Sequence, residues 1–218
     1  MARRTLPTVT ALVTSAALLL TACGGGGGDD SSDRIEGAGK EGDKAAASAS
    51  PSKAPNQPDL TLPSDLDLSF DFAKPSDPKH AAALDSAQNY IRALNHGIVK
   101  QDAEDPAYKF YSTSDAAQYA KSQIQAWIKG NWTPTGKDVY SKSQVSPVGG
   151  GKNVRATFCR NQAEYFSKKI KTGKTNRTDE NLDSYQRFSL LMTPPDATSK
   201  VWQVRQIRVE GRVEECKS

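Results

Sequence analysis

The chain has 218 residues, with 29 Lys and Arg against 25 Asp and Glu, a formal net charge of +4, three cysteines and two histidines. No CxxC occurs and no histidine lies near Cys159 or Cys216, which excludes a cysteine-based metal centre, and only His80 and His96 remain for imidazole chemistry. Charge is uneven: residues 23–76 carry ten acidic and five basic side chains, whereas 77–218 carry 15 acidic and 22 basic ones, so the C-terminal part is the basic one.

Arg3 and Arg4 open the chain, no charge follows between Thr8 and Ala22, and "ALVTSAALLL" is apolar throughout most of its length. This reads as the n-region and h-region of an export signal, too short for the ~20 apolar residues of a membrane-spanning helix. Thr5, Leu6 and Pro7 do not continue a twin-arginine pattern, and the export route stays open. The run ends in Leu20-Thr21-Ala22-Cys23, which resembles the lipobox of bacterial lipoproteins. The resemblance implies a signal peptide over 1–22, cleavage before Cys23, a diacylglyceryl thioether on that sulfur and an acyl chain such as palmitate on the freed amine. The protein would then sit on the extracytoplasmic face of the cell membrane. Two or three chains, at ~0.8 kcal/mol per buried methylene, hold far better than one.

Gly24–Gly28 add no side chain beside the lipid, and residues 23–58 are rich in Gly, Ala, Ser, Asp, Lys and Pro with almost no large apolar residue. Such a segment buries too little surface to offset its chain entropy and is expected to be a disordered tether. A flexible chain of about 35 residues spans about 33 Å on average. Residues 59–218 remain for one domain with its own core. With Cys23 assigned to lipid, Cys159 and Cys216 are an even pair in an exported chain and are expected to form a disulfide.

Leu66, Leu68, Phe70 and Phe72 alternate with Asp65, Asp67 and Asp71, so 59–72 is expected to be an extended segment laid on the domain. Ser76 is placed to cap a helix with Asp77 and Pro78 in its first turn. Leu84, Ala87, Ile91, Leu94 and Ile98 give that helix one apolar stripe. Asp105-Pro106 opens a shorter helix with Tyr108 and Tyr111. Ser114 opens a third with Ala117, Ala120, Ile124, Trp127 and Ile128 on one face, and Gly130 suits its C-terminal cap. From Lys137 the pattern turns to strands: 137–148, a Gly149-Gly150-Gly151 turn, 153–161, a pair formed by 162–171 and 184–193, and 201–209.

Helices followed by four to five antiparallel strands predict an α+β fold, N-terminal helices packed on a curved sheet. The element order of 77–218 resembles the NTF2-like (cystatin-like) cone. More narrowly, "LPSDLDLSFDF", "NYIRALNHGIVKQD", "FYS", "IKGNWTPTG", "RATFCRN" and the strand ending in Cys216 resemble a group of actinobacterial cell-surface lipoproteins of unassigned function. A plain α/β sandwich is the structural alternative.

Chemistry-bearing motifs are few. No GxSxG, HExxH or calcium loop occurs, and "TGKT" at 172–175 has Lys168 where a phosphate loop needs glycine. In NTF2-like enzymes a carboxylate or histidine in the cone acts as base, which singles out His96 and Asp102. Nothing in their spacing orients them, so both read as surface or capping groups whose replacement by alanine is nearly silent. Glu164, Asp179, Glu180, Asp183, Glu214 and Glu215 lie in polar runs and read as exposed, and Asp138 reads as a strand-start residue beside Lys137. Tyr90, Tyr111, Trp127, Trp132, Tyr140 and Phe158 are the aromatics that line or fill the cone. Trp127→Ala is expected to act as a large core truncation costing ~3–5 kcal/mol. Lys168, Lys169, Lys171, Lys174 and Arg177 form the densest basic run, a solvated hairpin tip that could face an anionic surface or an acidic protein partner. It is not a nucleic-acid site, since no aromatics interleave it.

The sequence therefore predicts a lipid-anchored, non-enzymatic binding or interaction domain without cofactor or metal. The alternatives are a small-molecule isomerase or hydratase using the cone, and an accessory domain for cell-wall assembly.

Overall fold

The computed structural model describes residues 56–217. The expected signal peptide 1–22, the lipidation of Cys23 and the tether up to residue 55 lie outside the described residues. In chain order the elements are β1 (Leu66–Asp71), α1 (Pro78–Lys100), α2 (Pro106–Tyr111), α3 (Ser114–Gly130), β2 (Trp132–Val148), β3 (Asn153–Lys169), β4 (Thr175–Asn176), β5 (Tyr185–Thr193) and β6 (Gln203–Gly211). Single 3-10 turns occupy Leu182–Ser184 and Glu214–Cys216.

The fold is α+β: three helices and one open six-stranded sheet of order β1-β2-β3-β5-β6, with β4 paired to β3. The sheet is mixed rather than purely antiparallel, because β1 runs parallel to β2, Leu66 opposite Gly136 and Phe70 opposite Tyr140. The alternating segment near residue 66 is thus a true edge strand, with Leu66 and Leu68 turned inward and buried.

The helices begin and end for local reasons. Asp77, not Ser76, caps α1: its carboxylate accepts from the Lys79 and His80 amides at 2.7 and 3.2 Å. Asp105 caps α2 through the Ala107 amide at 2.7 Å. At the end of α3 the left-handed residue is Asn131 (φ 54°), one position later than expected. Gly130 is still helical, and glycine is needed there for space, since a Cβ would lie 2.1 Å from the Trp132 ring.

The strand pairing differs from the sequence reading in one important respect. Residues 162–171 are not a separate strand paired with 184–193. β3 runs unbroken to Lys169, its first part pairing with β5 and its second with the start of β2. Lys137 pairs with Glu164 and Val139 with Asn161, so Gln162 and Ala163 together oppose Asp138. This bulge breaks the period of two without breaking the ladder, which is why the pattern read as two strands. A second bulge sets Lys142 (φ 54°) and Ser143 against Phe158. Bulges bend strands, and these two curve the central ribbon. β2 also starts earlier than expected, at Trp132, because Gly136 (φ 94°) carries the strand past Glu164, whose carbonyl oxygen would lie 2.0 Å from an added Cβ.

The core lies between the helices and the inner sheet face. Ala83, Leu84, Ala87, Tyr90 and Ile91 of α1 and Ala120 and Ile124 of α3 meet Tyr140, Phe158, Phe188, Leu190, Met192 and Val204 of the sheet. The Phe158 and Phe188 rings stack at 5.5 Å across β3 and β5. Cys159 on β3 and Cys216 in the last turn lie at disulfide distance, sulfur to sulfur 2.00 Å, as the cysteine count predicts. They sit in a small separate cluster with Tyr185 and Val213.

Two outcomes are expected. Cys159→Ala with Cys216→Ala should lower urea stability by up to ~4 kcal/mol, the chain-entropy value for a loop of this length, and the native parent should show no thiol to alkylating reagent among these two. Gly136→Ala should cost ~3 kcal/mol in the same assay, since it adds a φ penalty to a backbone clash.

Candidate functional site

The register places four side chains in one row across the inner sheet face: Phe70, Tyr140, Arg160 and Gln186, on β1, β2, β3 and β5. Asp138 lies two residues before Tyr140 and shares its face. Arg160 grips the Asp138 carboxylate through Nε (2.7 Å to Oδ1) and Nη2 (2.7 Å to Oδ2). The Tyr140 hydroxyl donates a third bond to Oδ2 at 2.7 Å. Arg160 Nη1 donates to Gln186 Oε1 at 3.2 Å. Asp138 is fully buried and the Arg160 side chain is 14% exposed.

Burial works against the Arg160 charge, but the Asp138 carboxylate outweighs it and holds the guanidinium pKa above its ordinary value. Burial pushes the Tyr140 and Tyr165 phenols up, so both remain donors at neutral pH. The guanidinium lies 4.8 Å over the Tyr165 ring. Tyr165 donates to Asn95 Oδ1 at 2.8 Å, which ties β3 to α1. Phe70 stacks on Tyr140 at 4.8 Å and carries Arg92 of α1 at 4.4 Å on its ring.

Above this row lies a cavity of about 230 Å³, walled by the sheet, α1 and α3. From α1 it takes Ile91, Leu94, Asn95 and Ile98, and from α3 Tyr119, Gln123 and Trp127. The last three recur at steps of four, so one helix face presents all of them. Trp127 meets Tyr165 edge to face at 5.9 Å.

The aromatics singled out in the sequence divide. Trp127 and Tyr140 line the cavity. Tyr90 and Tyr111 are core residues, Tyr90 donating to the Ala116 carbonyl at 2.8 Å. Phe158 is in the core stack. Trp132 lies elsewhere, under the Lys169 ammonium at 3.6 Å. Trp127 is half-buried at the cavity wall rather than a fully enclosed core residue, so truncating it removes less packing than expected.

Two titratable residues also depart from expectation. His96 is largely buried, and its partner is Asp105, not Asp102, with Nδ1 2.6 Å from Oδ2. The same Asp105 caps α2, so His96 braces a helix start and does not line the cavity. Asp102 caps a local turn through the Glu104 amide at 2.8 Å. Asp138, read from sequence as a strand-start residue, is the most enclosed acid of the site. Its signal was present in part: Asp138 and Tyr140 share a phase, as do Val154, Ala156, Phe158 and Arg160, and extending both alternations turns both charges to the inner face.

In the basic run, Lys168 pairs with Asp65, Lys169 sits on Trp132, and Arg177 lies 5.0 Å over the Phe166 ring. Lys171 and Lys174 stand at the exposed tip beside Ile170, which is 45% exposed. Among the described residues no cluster of three or more His, Cys, Asp or Glu could hold a metal, and no helix is long and apolar enough to cross a membrane.

The class defined so far is an α+β domain with one helix-to-sheet cavity over a buried ion pair. No family model matches the chain and no curated protein matches it. Among solved structures it is similar to the intermembrane space region of the chloroplast protein ARC6, at 11% identity and a TM-score of 0.33 over 58% of this chain and 95% of that one. At that score the likeness carries no argument.

Removing one member of the ion pair should be costly and removing both much less so. Arg160→Met leaves Asp138 buried without its counterion and should cost ~3–5 kcal/mol in urea unfolding. Asp138→Leu combined with Arg160→Met should recover most of that loss, giving a large coupling in a double-mutant cycle.

Proposed function

We propose that the protein is a lipid-anchored extracytoplasmic binding domain, NTF2-like in architecture, that holds a small ligand in the cavity between α1, α3 and the sheet. The observation that carries this reading is the state of the cavity's polar groups. Its lining holds no carboxylate or imidazole, and the buried Asp138 behind Arg160 and Tyr140 already accepts hydrogen bonds from both. Acid–base catalysis needs a titratable group held against substrate, and Asp138 is committed to its neighbours instead. The α3 side chains on the opposite wall keep their hydrogen-bonding capacity, which favours holding a ligand over transforming it.

The anchor follows from Leu20-Thr21-Ala22-Cys23, and the segment up to residue 58 supplies reach from the membrane. The expected result is that Cys23→Ser moves the protein from the detergent phase to the aqueous phase in phase-partition assays, or blocks its maturation. A variant that partitions and matures like the parent would exclude the lipid assignment. For the cavity, a ligand that binds the native state should raise the unfolding midpoint with concentration, and Trp127→Ala should diminish that rise.

A further inference from the structure

Resting on the cavity reading above, we infer that the cavity accepts one uncharged sugar ring. The argument starts from which hydrogen-bonding groups remain unused. Arg160 has five N–H groups; three go to Asp138 and Gln186 and another to Tyr165, leaving one. Gln186 gives its carbonyl oxygen to Arg160 and keeps its amide N–H groups. Gln162 gives its amide nitrogen to the Asp183 carbonyl at 3.0 Å and keeps its oxygen as acceptor. On α3, the Tyr119 hydroxyl, the Gln123 amide and the Trp127 indole N–H make no hydrogen bond among the described residues. Tyr119 and Arg160 line the same cavity; burial raises the Tyr119 pKa, and the Arg160 charge opposes that shift.

The cavity thus offers donors and acceptors interleaved on both walls, a pattern that suits hydroxyl groups, each of which donates and accepts. The charge state narrows the class. Asp138 neutralises Arg160 at contact distance, so the pair offers an anionic ligand no net positive charge, and the lining holds no carboxylate for a cation. An apolar ligand would strip water from the free amide and hydroxyl groups and return no hydrogen bond.

Shape narrows it further. A volume of about 230 Å³ falls below the ~300–1,000 Å³ typical of drug-sized ligand sites, which is room for a single ring. Trp127 and Tyr165 stand at 75° to one another and, with Ile91 and Leu94, form an aromatic and aliphatic corner. The C–H face of a pyranose carries slight positive charge and suits the negative face of such rings, while its hydroxyl rim reaches the amides.

The test is calorimetric titration of the full chain carrying Cys23→Ser, prepared without sugar-headed detergent. The probes are glucose, galactose, mannose and N-acetylglucosamine, each free and as its methyl glycoside, with glucuronate and indole as charged and apolar counterparts. The expected result is saturable binding of at least one neutral sugar, weakened ~tenfold or more by Trp127→Ala and by Gln123→Ala, with both variants folded and Gln123→Ala at unchanged unfolding midpoint. Tyr119→Phe, which removes a single hydroxyl, provides the same readout if either alanine variant fails to fold. Binding of the methyl glycosides would indicate the end of a glycan; binding of the free sugars alone would indicate a monosaccharide. Tighter binding of glucuronate or indole than of every neutral sugar, still lost in Trp127→Ala, overturns the sugar assignment and leaves the cavity reading standing. No saturable binding by any probe, or binding indifferent to all three substitutions, overturns both.

Discussion

The contact between Asp138 and Arg160 constrains everything around it. Two charges removed from water must meet each other in good geometry or the fold loses more than it gains. Here the guanidinium takes the carboxylate bidentately and Tyr140 closes the third position. The partners sit on adjacent strands, so the contact exists in only one register. A slip of one residue between β2 and β3 would turn one charge to the opposite face. The bulge at Gln162 and Ala163 lies directly against Asp138 and sets the phase in which both charges point inward. The pair is better understood as fixing this register than as a large net source of stability.

From that row the structure extends in two directions. Toward the edge, Phe70 stacks on Tyr140 and draws β1 onto the sheet, while Lys168 and Thr135 hold Asp65 at the strand's beginning. The segment that leads in from the N-terminal side is therefore a working part of the sheet. Toward the helices, Tyr165 reaches Asn95 and Arg92 covers Phe70. These contacts hold α1 over the ion pair, and the space left between α1, α3 and the sheet is the cavity. Its near-neutrality is a consequence of the pair beneath it, and its polarity comes largely from Tyr119, Gln123, Gln162 and Gln186 on its walls.

The periphery is fastened separately. Cys159 and Cys216 join β3 to the final turn at some remove from the main core. His96 and Asp105 join the end of α1 to the start of α2. Much of the basic run folds back on the domain through Asp65, Trp132 and Phe166, so its formal charge overstates what the hairpin tip presents to a partner.

The sequence by itself determined the local and additive features: the helices from their apolar stripes, the α+β order, the extended segment at Leu66, and the pairing of the two domain cysteines. Each follows from neighbours within a few residues or from a count. Only the tertiary structure decided that residues 153–169 form one strand, since a bulge conceals continuity from a period of two. It also decided that β1 lies parallel to β2, and that Tyr119, Gln123 and Trp127 face Gln186 across a cavity. The Asp138–Arg160 pair shows the boundary most sharply. Each alternation points its charge inward, but a buried charge is tolerable only beside its partner. That partnership, across 22 positions of sequence, depends on strand register, which no local pattern specifies.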